Sequence, residues 1–307
     1  MNALRLTVRY GYLPVMLVGV NGTAMALAGA GAAEPLLLAL ICGAIAISFA
    51  AERVLPYDAA WNADHDDGGR DTAHAIVNEG MIIGTVAAIP VLAMLLPSAD
   101  VWPHHWPFAA QVAVAVLVAD AGITLMHVAS HRLGPLWRFH AVHHSINRCY
   151  GFNGLMKHPL HQAIEMTAGV APLLLLGMPV QVAAALAVAV AVQLLLQHSN
   201  VAYQAGPLRN VLALNEAHRF HHLKWAGIGD VNFGLFTLLW DHLLGTHSFD
   251  ASRRFTSDDL GMAARPGYPR DYLGQLTEPF RPSGACRTPA AGPGAPARSA
   301  LTAASSQ

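Results

Sequence analysis

Five long apolar runs leave this chain little choice of solvent. Four of them, at about 13–33, 36–51, 75–96 and 108–130, are each near the length of one membrane-crossing helix. A bilayer core of about 30 Å takes about 20 apolar residues in a helix. The fifth, 163–197, is longer and is interrupted by Gly177-Met178-Pro179, a turn signal. It reads as a helical hairpin that enters and leaves on the same side. In lipid, only helices and closed barrels satisfy every backbone group, and runs this long exclude a barrel. The expected fold is all-α, an integral membrane helical bundle. Charged residues make up only 12% of the 307, against about 25% in soluble domains. A net charge of −1 gives no sign of a nucleic-acid partner. Cys42, Cys149 and Cys286 form neither a disulfide framework nor a thiolate metal motif.

The first run has a competing reading. Arg5 and Arg9 before it and "AGAGAA" at its end resemble a cleaved leader. Its length favours a retained helix, and the topology is the same either way. Loop charge sets the orientation. The connector 97–107, "PSADVWPHHWP", has no Lys or Arg and carries Trp102 and Trp106. The segment after the fourth run carries Arg132, Arg138, Arg148 and Lys157, and the segment after the hairpin carries Arg209, Arg219 and Lys224. Both segments are expected to be cytoplasmic, forming a histidine-rich helical cap, with the N-terminus and the 51–74 loop on the same side. The chain divides into N-terminal helices and a loop (1–69), a main unit (70–280) and a Pro/Ala/Gly/Ser-rich tail (281–307). The tail cannot bury enough apolar surface to fold and is expected to be disordered.

Histidine is over-represented, with 17 residues. The topology delivers three groups of them to one side of the membrane. His127 and His131 are i and i+4, on one helix face. His140, His143 and His144 in "FHAVHHS" form an H-x-x-H-H face, and His218, His221 and His222 in "HRFHH" repeat it. Neutral imidazoles so arranged suit metal binding. Eight clustered histidines exceed what one ion holds, so two metals are inferred. His198 in "QHSN" and His158 in "KHPLH" bring the set to ten, about five per metal. An all-nitrogen set disfavours an iron–sulfur cluster and permits Zn, Fe, Cu or Ni. Asp120, Asp230 and Asp241 are candidates to orient the ligands. His65, His104, His105, His242 and His247 read as interfacial polar residues, with His104 and His105 on the opposite face. His74 and His161 stay unassigned.

"HVASH" (His127 to His131), "LWRFHAVHHS" (Leu136 to Ser145), "HRFHH", "NFG" from Asn232 and "LLWDHLLGT" ending at Thr246 together resemble the fatty acid hydroxylase/sterol desaturase superfamily over about 70–280. The resemblance implies a membrane enzyme with two non-haem Fe ions that uses O2 to hydroxylate or desaturate a lipid C–H bond. It implies that His127 and His131 form the first histidine box, His140, His143 and His144 the second, and His218, His221 and His222 the last, with His198 and His158 as further ligands. Two positions depart from the family pattern. "HPLH" places His161 where Glu is frequent, and His242 stands where Arg is frequent. Electrons are expected from an external redox protein, since the chain has no G-x-G-x-x-G after a strand and no cytochrome-like segment. A multi-pass protein of a bacterial-type inner membrane, with its site on the cytoplasmic side, follows.

Two other classes compete. A metal transporter places its ligands near the midplane on broken helices, whereas these gather at one edge. A bis-histidine haem protein would set paired histidines on facing helices within the membrane. Hydroxylation and desaturation are equivalent at the level of motifs.

Overall fold

In the computed structural model, which describes residues 2–32, 34–95, 99 and 101–281, the chain is a helical bundle with a cap at one end. The tail expected to be disordered, 282–307, lies outside the described residues.

The first helical rod, Ala3–Gly29, starts ten residues earlier than the apolar run indicates. Helix α1 (Ala3–Pro14) passes through a π-helical turn, Val15–Val20, into α2 (Asn21–Gly29). Pro14 causes the slip. Its ring cannot donate to the α-helical ladder, and wide turns accommodate such breaks. The rod packs into the bundle: Tyr12 Oη lies 2.8 Å from Ser48 Oγ of α3 (Glu34–Val54). Helices α4 (Gly68–Leu95) and α5 (Phe108–Arg132) supply two more crossings. After the short helix α6 (Gly134–His144) comes the hairpin, α7 (Pro159–Leu175) and α8 (Val180–His198). Five helical stretches have the length and apolarity to cross a membrane. The sixth arm, α7, has 17 residues and is short because His158-Pro159 starts it inside the cap.

Gly122 sets how closely two of these helices approach. A Cβ on Gly122 of α5 would lie 2.1 Å from the Ala168 carbonyl oxygen of α7. Such backbone contact is how helices associate where lipid gives no hydrophobic drive. At the far end of the hairpin, the Ala99 N–H donates to the Leu175 carbonyl (2.8 Å). The turn therefore sits beside the connector that holds His104 and His105, opposite the cap.

The cap has its own apolar core of Trp61, Ala141, Val142, Ile146, Phe220, Leu223, Phe255 and Leu260. Ala141 and Val142 belong to α6, and Phe220 to α9 (Asn215–His221). These two short helices put apolar side chains into the cap core and turn their histidines inward. Residues 1–69, expected as an N-terminal unit, reach the same core through Trp61 and are tied to it by Arg148, whose Nε donates to Asp67 Oδ2 (2.9 Å).

Candidate metal centre

Nine histidines meet where α5, α6, α8 and α9 converge. They form two groups, His127, His131, His140, His144 and His221, and beside them His143, His198, His218 and His222. All nine are buried. Within each group the candidate ligand atoms lie within 4.8 Å of one another.

Each H-x-x-H-H box serves both groups. His140 and His144, at i and i+4, enter the first group, and His143 enters the second. On α9 the division is reversed: His218 and His222 enter the second group, and His221 the first. Helical geometry explains this. Positions i and i+4 lie almost above one another, whereas i+3 points to the other side of that line. The groups share walls, with the His144 and His222 ring centroids 5.0 Å apart.

The ring nitrogens are spaced as ligands. Nε2–Nε2 distances are 3.0 Å for His127–His140, 3.1 Å for His140–His144 and 3.1 Å for His131–His144. In the second group they are 3.0 Å for His198–His218 and 3.0 Å for His218–His222. Two nitrogens at right angles about an ion, each roughly 2.1 Å from it, are about 3.0 Å apart. A hydrogen-bonded chain explains the contacts less well. His127 Nδ1 faces the Phe233 carbonyl (2.9 Å) and His131 Nδ1 faces Asp230 Oδ1 (2.8 Å), so both present bare Nε2 atoms inward. If His140 and His144 donate outward to those atoms, two N–H groups oppose each other across 3.1 Å. A cation removes the conflict. Buried nitrogens without a partner among the described residues, such as His221 Nε2, fit the same reading.

Electrostatics favours neutral rings. Burial, reinforced by neighbouring histidines, holds His140, His143, His144, His218, His221 and His222 well below the ordinary histidine value. Neutral imidazole is the metal-binding form.

The tenth candidate, His158, stands apart. Its Nδ1 accepts the Leu160 N–H (3.1 Å) and its Nε2 donates to the Leu276 carbonyl (3.1 Å). It caps α7 rather than joining either group, because the proline after it starts a helix that leads away.

The three aspartates take different roles. Asp230 holds His131 directly. Asp120, expected to orient a ligand, instead accepts the N–H groups of Leu235 (3.0 Å), Phe236 (2.8 Å) and Thr237 (3.1 Å). Asp241 accepts those of Phe233 (2.8 Å) and Gly234 (2.9 Å). Both therefore act through the 232–237 loop, whose Phe233 carbonyl orients His127. The loop starts with Asn232 at φ 53. Its side chain donates to the Ala217 and Ser248 carbonyls (2.8 and 2.7 Å). A Cβ on Gly234 would lie 2.0 Å from the Thr237 carbonyl oxygen.

Three further residues, His161, Glu165 and Lys157, have no site role in the sequence pattern. His161 is fully buried, its Nε2 2.9 Å from Ser130 Oγ and its ring centroid 4.5 Å from that of His140. Glu165, one turn on, pairs with Lys157 (2.5 Å). His140, His161 and Glu165 are also close enough to hold an ion, but the Lys157 pair already neutralises the carboxylate. The signal available in the sequence was Glu165 itself, an acid inside an apolar run.

Lys157 and Glu165 line the inner end of a narrow, largely apolar cavity of ≈ 60 Å³ between α4, α5, α7 and α8. Its α8 wall runs from Ala183 to Leu194, about 16 Å at the helical rise. Leu194 is the residue whose carbonyl faces His198 Nδ1 (3.1 Å), so the cavity wall reaches to within one helical turn of a clustered histidine.

Bundle and cage together define a membrane protein built around a polyhistidine centre. The fatty acid hydroxylase family model matches residues 112–246, a segment containing all nine clustered histidines. Ornithine lipid hydroxylase OlsE of Rhizobium tropici is 32% identical over 78% of this chain and 74% of its own length. Alkylglycerol monooxygenases of Danio rerio and Homo sapiens are 28% and 27% identical over 50% and 47% of this chain, and over 33% and 31% of their own lengths. No solved structure matches. The chain belongs to the fatty acid hydroxylase family and is an oxidoreductase of that family.

Proposed function

We propose that this protein hydroxylates a membrane lipid, using O2 and two non-haem irons held by the nine histidines. The observation that carries the reading is the adjacency of two nitrogen cages to the inner end of an apolar cavity. Five nitrogen donors in the first group exceed the four of a usual zinc site and suit an ion of higher coordination. The named activities of the relatives, ornithine lipid hydroxylase and alkylglycerol monooxygenase, favour hydroxylation over desaturation.

When bound, the metal pair supplies the redox chemistry by which a C–H bond, O2, two electrons and two protons become C–OH and water. The chain supplies placement. The cavity takes an apolar chain and excludes water, and Lys157, Gln162 and Glu165 make its inner end polar. Asp230 and the carbonyls of Phe233 and Val231 hold the Nδ1 protons of His131, His127 and His221, which turns their Nε2 atoms into the cage. An external redox protein supplies electrons, from the cytoplasmic side of a bacterial-type inner membrane.

The test is isotopic. Membranes containing the wild-type chain, supplied with ¹⁸O2 and reductant, are expected to yield a lipid gaining one ¹⁸O atom, and those containing His221→Ala to yield none. Oxygen arriving from water instead, or metal uptake into vesicles without lipid oxidation, contradicts the proposal.

A further inference from the structure

The side of α9 away from the cage faces a second, chemically different cavity. It is a polar cleft of ≈ 320 Å³, and Arg9, Arg209, Arg219, Arg253 and Arg254 all line it. Only two lining carboxylates, Glu216 and Asp250, oppose these five guanidinium groups. Arg209 pairs with Glu216 (3.5 Å), and Arg253 pairs with Asp259 (2.6 Å). Arg9 donates to the neutral Gln204 side chain (3.3 Å). Arg219 and Arg254 have no carboxylate partner among the described residues.

Arg219 is the unusual member. It is 4% exposed, and among the described residues its Nε has no partner and its one hydrogen bond is a long one, from Nη2 to the Ser199 carbonyl (3.4 Å). Its guanidinium lies 3.8 Å from the Tyr57 ring centroid, and that of Arg254 lies 5.5 Å from the same ring. Two cations thus converge on one tyrosine. A buried guanidinium keeps its charge and five donors, and is costly without an acceptor. The missing acceptor is an anion with several oxygens, which the planar fork of arginine matches.

The height of the cleft narrows the choice. Arg9 belongs to a membrane-crossing rod, while the other four arginines lie on segments outside the crossings. On either side of Arg9, Leu6 and Tyr10 expose apolar surface. The cleft therefore opens at the level where membrane helix meets cap, which is the level of lipid headgroups. We propose that it binds the phosphate of an anionic phospholipid. The site is separate from the histidine cage, and its occupancy does not depend on the catalytic reading above.

The test uses the intact chain purified in detergent, analysed by native mass spectrometry with three probes. These are phosphatidic acid, diacylglycerol with the same acyl chains, and inorganic phosphate. Phosphatidic acid is expected to be retained at one per chain and diacylglycerol not at all. Arg219→Gln and Arg254→Gln are each expected to weaken retention about tenfold, the scale of a lost charge-assisted hydrogen bond. Arg219 is buried, so Arg254→Gln, at an exposed position, is read separately and is expected to keep the wild-type metal content. Equal retention of phosphatidic acid and diacylglycerol, or unchanged retention in Arg254→Gln, overturns the proposal. Displacement of phosphatidic acid by inorganic phosphate at equal concentration also overturns it, in favour of a free-phosphate site.

Discussion

The two histidine groups differ in what stands behind them. In the five-histidine group, His127, His131 and His221 fix Nδ1 on Phe233, Asp230 and Val231 at 2.8–2.9 Å. In the four-histidine group, His143 and His198 have longer contacts to the carbonyls of Met156 and Leu194, at 3.3 and 3.1 Å. Among the described residues, Nδ1 of His218 and of His222 has no partner, and in the first group the same is true of His140. Partners behind a ligand fix its tautomer and raise its basicity. The first cage is therefore the more rigid, and the second depends more on the ion itself. Graded chelation is expected to empty the four-histidine group first.

Substitutions can break this asymmetry, and the ligands come first. His221→Ala and His222→Ala are each expected to abolish lipid oxidation, because the two cages work as one unit. A retained turnover in either, measured with bound metal counted, removes that residue from the ligand set. Asp230→Asn is expected to weaken metal binding about 10–100-fold at the five-histidine group alone. That would reduce or reverse the order of loss under chelation. Gly234→Ala drives a Cβ toward the Thr237 carbonyl and displaces the loop behind His127. A loss of about 3 kcal/mol is expected, visible as a lowered unfolding midpoint.

Acid gives a broader effect. The six cap histidines with lowered values stay neutral when folded but take up protons near pH 6.5 when unfolded. Their contribution is fully present above about pH 6.5 and is lost as pH falls below it toward the lowered values. Metal-free protein should unfold at lower temperature at pH 5 than at pH 8, and bound metal should narrow the difference. The smallest effect belongs to His158→Ala, which loses a helix cap worth about 1 kcal/mol and is expected to leave metal content unchanged.

Much of this was legible in the sequence for physical reasons. Apolar run length reports membrane helices directly, and helical spacing puts His140, His143 and His144 on one face. What spacing does not report is the register between helices. That is why the division of each box between two cages, and the removal of His158 to a helix cap, emerge only in three dimensions. Asp120 and Asp241 were visible as acids needing partners. Their actual partners are backbone N–H groups of the 232–237 loop, which no side-chain pattern encodes. Arg219 was read only as loop charge, since its burial depends on the packing of Tyr57 against it.

The central claim is that nine histidines hold two metals in unequal cages. Counting iron in purified wild type, His221→Ala and His222→Ala by elemental analysis tests it most directly. The account predicts about two per chain in the wild type and about one in each variant, with the ion left in His222→Ala the harder to chelate. One iron per chain in the wild type, or none in both variants, would contradict it.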